Sequence, residues 1–509
     1  MKFDQRIKSS SSNKRKVLSL IIVSISLMLL AVVLVVVDPI KTIVKSRARV
    51  SKNSEIMQLL LQKNSPGIRI SVYLFNITNG EKFISGEDYK LKLQEIGPFT
   101  YQEQRSNEDV EMDDEERVVR YTPQTTTRFL PEYSIADPTT INVTMPNVAM
   151  LSMSSVMASQ PYFTKLGFSL LLGSLRSRPV VPQTAQEFLW GYNEPLIRLG
   201  NTIMPGWISF ETLGILDRLY DNKVNYRLEV GATNDDRFRI KSMNGIKGLN
   251  GWDYEEVDKR SSCNTFTDAY EGIAYPNYMS DGTPIRIFRN VLCRFLPLDY
   301  QGTKTVNSGV KVLIYKVSDM AFDITNDTQC LCSRGTCIKG VSDLSPCFYQ
   351  LPLALSNAHF LNGDPSLFER IDGLKPDESK HGSEFVVEPK LGMVMKTYFS
   401  VQVNVVVRNV EFNNQAARFS NMVVPLCHFK MEQPELTEKD FQTLHTLYVT
   451  APYSFWAFIV ALLLCGLLTL VFCVRMFLTN WIYSRDVIIF QSPEDIKSGV
   501  TSSIPLLGL

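Results

Sequence analysis

Two uncharged apolar runs, residues 17–37 and 453–474, lie near opposite ends of this 509-residue chain, with a long polar, cysteine-bearing segment between them. About 20 helical residues rising roughly 1.5 Å each match a bilayer hydrocarbon core of about 30 Å, so each run is long enough to cross a membrane. The expected topology is two spans that hold one large domain by both its ends.

Charge places that domain. Lys2, Arg6, Lys8, Lys14, Arg15 and Lys16 precede the first run with only Asp4 opposing them, and Arg475 and Arg485 follow the second. Positive flanks stay on the cytoplasmic side, so residues 1–16 and 475–509 are expected to be cytoplasmic tails and residues 38–452 to lie outside the cell or in a lumen. The competing reading of the first run is a cleaved signal peptide. That run is longer than a usual signal core, and Asp38-Pro39-Ile40-Lys41 is not a small-residue cleavage site, so an uncleaved anchor is expected.

Two further signals agree. Sequons at Asn76, Asn142 and Asn326 all fall in the central segment, as do Cys263, Cys293, Cys330, Cys332, Cys337, Cys347 and Cys427 of the nine cysteines. In an oxidising compartment such a cluster reads as a disulfide framework rather than a zinc site. Cys330 and Cys332 are not expected to pair with each other, because residues two apart on an extended strand sit about 6.6 Å apart, near the limit for a bridge. The odd count leaves one thiol over, and Cys427, far from the cluster, is the candidate.

A net charge of +1 gives no electrostatic case for nucleic acid, and a hydrophobic content of 45% is ample for a core. No repeat or low-complexity joint interrupts residues 38–452, which read as one large domain. The acidic stretch at residues 108–116 reads as a solvated loop between strands rather than a cation site.

Local patterns are mostly strand. Ile68, Ile70, Val72 and Leu74 alternate with Arg69, Ser71, Tyr73 and Phe75, and Val401, Val403 and Val405 alternate with Gln402 and Asn404, as in half-buried antiparallel strands. Similar runs at 226–230, 237–241 and 310–317 predict an α+β, mostly antiparallel, barrel-like ectodomain. Helices are predicted around Ile56, Leu59 and Leu60, within 148–176, after the capping box Thr184-x-x-Glu187 with a stop at Glu194-Pro195, and after Thr437-x-x-Asp440. Residues 146–220 form a helical subdomain in this reading.

No nucleophile elbow, zincin motif or phosphate loop occurs, and His359, His381, His428 and His445 are scattered without ligand spacing. The chain therefore reads as a non-enzyme without cofactor or metal. His428 adjoins Cys427, but strand neighbours point to opposite faces. A channel is weakly supported, since the apolar runs offer few polar side chains to face a pore.

Particular strings resemble class B scavenger receptors: LWGYNEP at 189–195, IDGLKP at 371–376 followed by His381, GPFTY at 97–101, FNITN at 75–79, AHF at 358–360, and VEP at 387–389 before Gly392. The resemblance runs from the first span to the second. Its cysteine order implies bridges Cys263–Cys330, Cys293–Cys347 and Cys332–Cys337, one of fifteen pairings open to six cysteines.

The resemblance further implies a membrane-embedded cell-surface receptor for lipids, lipoproteins or other hydrophobic or anionic ligands. It would have an apolar tunnel running from a helical apex, residues 146–220, toward the bilayer. Basic residues are implied at that apex, where Lys165, Arg176 and Arg178 stand, with Phe163 and Phe168 as candidates to line an entrance. The lysosomal member of the family implies an alternative, an endosomal or lysosomal receptor that traffics a partner protein. Homo-oligomers or a protein partner at the apex are also compatible. Cys473 is a candidate for S-palmitoylation, and Pro505-Leu506-Leu507 looks like a sorting signal with Ser502 where an acidic residue is expected.

Overall fold

A computed structural model describes residues 2–203, 210–220, 225–306, 309–325, 328–332, 337–433 and 436–489. Asn326, Ser502 and the 505–507 string lie outside the described residues. The chain divides into two compact units, the terminal segments together and Val44–Phe441.

In the terminal unit, helix Lys2–Val37 contains the membrane-length apolar stretch Lys16–Val37, and helix Ala451–Ile489 supplies most of a second, Glu438–Thr479. Apolar side chains give neighbouring helices in lipid little reason to associate, so small residues and interhelical hydrogen bonds carry the contact. Ser24 Oγ donates to the Gly466 carbonyl at 2.7 Å, and a Cβ at Gly466 would sit 3.1 Å from Met28 Cγ. Cys473 is buried, 2% exposed, while Cys465 is exposed.

Val44–Phe441 is built on one large sheet. Its first strands are β1 (Ser65–Ile77), β2 (Leu91–Asp113) and β3 (Val118–Phe129), continued by Leu228–Gly231 and Ile240–Met243. On the other side of β1 follow Met422–Glu432, Met393–Val407, Glu384–Glu388, Lys311–Val317, Arg294–Thr305, Ile285–Arg289 and Ala269–Tyr270. A bridge between Arg239 and Tyr270 brings the two ends of this path together, so the sheet is nearly closed. Near-closure removes the exposed edges an open sheet of this size would present.

The fold class is therefore α+β with a barrel-like sheet. Three local expectations within the sheet differ from what the chain does. The 108–116 acidic stretch is mostly strand: Glu111 pairs with Arg120 and Asp113 with Val118 across the β2–β3 hairpin, and only its end turns. Cross-strand cations make this possible, since Arg120 meets Asp113 at 3.2 Å, Glu229 at 2.7 Å and also Glu116, and Arg227 meets Glu111 at 2.6 Å. The 237–241 strand begins only at Ile240, because residues 232–239 turn around Asp236, whose carboxylate accepts the Thr233 amide at 3.1 Å. The 401–405 run is buried on both faces rather than one: Gln402 donates to Asn404 Oδ1 at 2.8 Å and Asn404 to Ser356 Oγ at 3.0 Å, so its polar side is satisfied inside the protein.

The helical subdomain contains Val148–Met157, Tyr162–Ser174, Ala185–Trp190, Pro195–Ile203 and Ile215–Leu219. Thr184 and Glu187 form a reciprocal capping box. The helix it opens ends at Gly191, whose φ of 129° suits glycine, and not at Glu194-Pro195. Pro195 instead starts the next helix, where its missing N–H costs nothing.

Disulfides join Cys263 to Cys330, Cys293 to Cys347 and Cys332 to Cys337, with Cα separations of 6.1, 6.3 and 5.6 Å. Cys427 is unpaired and fully buried opposite Leu74, and burial pushes its thiol far above the usual range, so it packs as a small apolar residue.

Candidate ligand site

The helix Tyr162–Ser174 ends in a way that exposes a cation. Ser177 N–H bonds to Leu172 O and Arg176 N–H to Gly173 O, both at 3.2 Å, the paired bonds of a Schellman stop. Arg176 occupies the left-handed position of that motif, with φ of 51°, where glycine is the strain-free choice. A long cationic residue is thus held at some conformational cost, and strain of this kind points toward function.

Arg176 and Arg178 line a groove of about 1200 Å³ together with Lys82, Ile84, Pro179 and Val180. The groove's lysines are already matched, Lys82 with Glu87 at 3.1 Å and Lys92 with Asp88 at 3.2 Å. Both arginines are exposed and neither has an ion pair among the described residues. Ser177 Oγ and Gln415 Oε1, on residues of the same wall, are buried without a hydrogen-bond partner. The groove therefore offers two free guanidinium forks beside unsatisfied polar atoms, an arrangement suited to a carboxylate or phosphate.

The other residues singled out from sequence do not join it. Lys165 lies over the Phe412 ring, 5.7 Å from its centroid. Phe168 packs into the main core at 8% exposure, because it faces inward on the helix whose outer face carries Phe163, 82% exposed, with Tyr162, Leu166 and Leu170. Asn76 accepts the Thr144 amide through Oδ1 at 2.7 Å, and Asn142 is exposed at the start of strand Asn142–Pro146.

Sequence reasoning missed a second constellation. Glu95, His359, His381 and His428 come together from four separate elements, with His359 and His428 bonded to Glu95 and His381 stacked on His359. His359 Nε2 lies 2.5 Å and His428 Nε2 3.1 Å from Glu95 Oε2. Although desolvation opposes it, the hydrogen bonds from the two rings hold Glu95 well below the usual carboxylate range. These ligand atoms are close enough for a metal ion, but the ring geometry disfavours one. The Lys375 amide donates to His359 Nδ1 at 3.1 Å, so the proton sits on Nε2, the atom that would have to bind the ion. No sequence signal marks this cluster, since Glu95 is 264 positions from His359 and 333 from His428.

A family model for the CD36 family matches residues 18–477, nearly the whole chain. The chain belongs to the CD36 family. Among relatives of this family, scavenger receptor class B member 1 of Bos taurus is 26% identical over 449 residues, covering 86% of this chain and 84% of that protein. Lysosome membrane protein 2 of Rattus norvegicus is 25% identical over 364 residues, covering 71% and 73%. Protein peste of Drosophila melanogaster is 26% identical over 355 residues, covering 65% and 60%. With its two terminal apolar helices, this CD36-family chain is a two-span membrane protein of the scavenger-receptor group.

Proposed function

We propose that this CD36-family protein is a membrane receptor that captures the anionic head of a lipid or lipoprotein at the Arg176–Arg178 groove and passes the hydrophobic part to the membrane. The observation that carries this reading is the pair of unmatched arginines, one of them in a strained left-handed position, in a groove whose other cations are neutralised. The exposed apolar side chains on the helix leading to Arg176 supply a surface for acyl chains.

Transfer without water has a physical rationale. At about 0.8 kcal/mol per buried CH₂, a chain of ~16 carbons resists crossing water by on the order of 10 kcal/mol, and an apolar path lowers that barrier. The disulfides and glycan acceptors support placing Val44–Phe441 on the exoplasmic side, with both tails cytoplasmic.

The test uses the full chain in proteoliposomes and in cells. Substituting both arginines by Gln should reduce capture of vesicles containing an anionic lipid by about tenfold while leaving neutral vesicles unaffected, the scale expected for two charge-assisted contacts. Unchanged capture and uptake would remove the groove from the mechanism.

The similarity to lysosome membrane protein 2 favours a second reading, residence in the endosomal or lysosomal membrane with a trafficking role. Comparing the location of the full chain with that of a form truncated after the second span separates the two: relocation of the truncated form to the cell surface supports endolysosomal residence.

A further inference from the structure

The histidines gathered on Glu95 do more than fill a core. The Lys375 amide donates to His359 Nδ1 and the Asp377 amide to His381 Nδ1, each at 3.1 Å, so two neutral rings act as the acceptors that hold the 373–381 segment in place. The rings stack on each other, centroids 4.2 Å apart and 13° from parallel. Imidazolium carries a proton on both nitrogens and has no acceptor left, so a protonated ring cannot keep either amide.

We propose that His359 and His381, assembled with His428 on Glu95, are an acid-operated latch: protonation at Nδ1 expels the Lys375 and Asp377 amides and frees the 373–381 segment from the sheet.

The backbone beside the cluster is held only by its packing. His359 and Phe360 are both left-handed, at φ of 54° and 55°, backbone conformations that persist only while packing holds them. The amide of His359 is pinned by Gln402 Oε1 at 2.7 Å. Facing the cluster are the stacked Tyr73 ring from β1, 4.6 Å from His428, Phe75 from the same strand, Glu95 from β2, and Asp377 beside His381. Lys316, Asp319 and Glu378 line a small cavity of about 20 Å³ with His381. His428 Nδ1 is buried without a partner.

Burial first, then His359 and His428 nearby, lowers His381 to about 4, and burial also lowers His428. Because the folded value lies below the ordinary one, the neutral ring's contribution is complete above about pH 6.5 and is lost as pH falls toward about 4. Glu95 acts in the same sense, its contribution disappearing only below the usual carboxylate range.

Hydrogen exchange of the full chain in lipid nanodiscs, corrected for intrinsic rates, tests the latch. Between about pH 7.5 and about pH 5, amides of the 373–381 segment should lose protection by roughly tenfold or more, while core amides of Met422–Glu432 stay closed. His381→Gln and His359→Gln retain an acceptor oxygen that does not titrate, so either should blunt the loss. Unchanged protection in the wild type overturns the proposal, as does an equal loss in both variants. Should the variants not fold, the imidazole proton shifts of wild-type His381 decide: His381 titrating near 6.5 while the segment stays closed refutes the latch, and a depressed His381 midpoint coinciding with segment exposure supports it.

Discussion

Arg105 grips Glu271 with both ends of its guanidinium, at 3.1 and 2.9 Å, although the two lie 166 positions apart. Tyr121 OH donates to the same carboxylate at 2.5 Å, and the pair is almost wholly shielded from water. Desolvation disfavours both charges, yet the guanidinium keeps Glu271 below its ordinary range. Two residues from Arg105 on the same strand, Glu103 meets Arg289 at 3.3 Å and accepts from Tyr220 at 2.8 Å, so Val44–Phe441 carries a second ion pair beside the first inside its sheet system.

Breaking one side of the first pair should therefore cost much more than removing both. Arg105→Met leaves a buried carboxylate uncompensated and is expected to lower unfolding stability by about 3–5 kcal/mol, whereas Arg105→Met with Glu271→Leu should recover a large part. Thermal unfolding of the two variants in detergent measures the difference. Equal losses would mean that the charge itself is not what the site compensates.

The three disulfides should differ in value. On the loop-entropy model, the bridges spanning 67 and 54 residues contribute about 4 kcal/mol each, and the one spanning 5 residues about 2. Cys293→Ala with Cys347→Ala should thus reduce surface yield and melting temperature far more than Cys332→Ala with Cys337→Ala. Similar losses would place the role of the short bridge elsewhere than in chain entropy.

Arg176 allows function and stability to be separated. Glycine at this left-handed helix stop relieves a conformational cost of about 1 kcal/mol, so Arg176→Gly should raise the melting temperature slightly while weakening capture of anionic vesicles. A variant that loses stability would contradict the strain argument, and one that keeps full capture would contradict the role in ligand binding.

Gly373, with φ of 99°, passes so close to Leu93 that a Cβ would collide with its carbonyl oxygen and backbone. Gly373→Ala must push the 373–381 segment away from β2 and is expected to destabilise by about 1–3 kcal/mol. The readout is the fraction of disulfide-bonded protein reaching the membrane fraction. Wild-type maturation would show that the segment can shift without loss.

Much of the architecture was legible in the chain because its signals are local. Alternation from Ile68 to Phe75 lies within β1, the Thr184–Glu187 box opens a helix, and the runs at 17–37 and 453–474 lie within apolar helices. The same local rules misplaced the acidic end of β2, because Arg120 and Arg227 reach it only after the sheet has formed. They also read Gln402 and Asn404 as a solvent face, although Ser356 and the His359 amide cover it from a distant segment.

The candidate site divides in the same way. Arg176 and Arg178 were visible as cations in a helical region, but that one sits in a left-handed stop and that both share a groove with Lys82 depends on the packing of the helix Tyr162–Ser174. Phe168 and Phe163 look equivalent in sequence, and only the packed helix turns one inward and the other out.

By itself the sequence determined the two-span topology, the predominance of antiparallel strands and several helix starts, because apolar length, period and capping act over one or two turns of chain. Tertiary structure alone decided that Glu95 would meet His359 and His428, that Arg105 would find Glu271, and which cations would stay unmatched. Those pairings join residues far apart along the chain, and nothing in a local window specifies a contact that exists only once a sheet of many strands has nearly closed on itself.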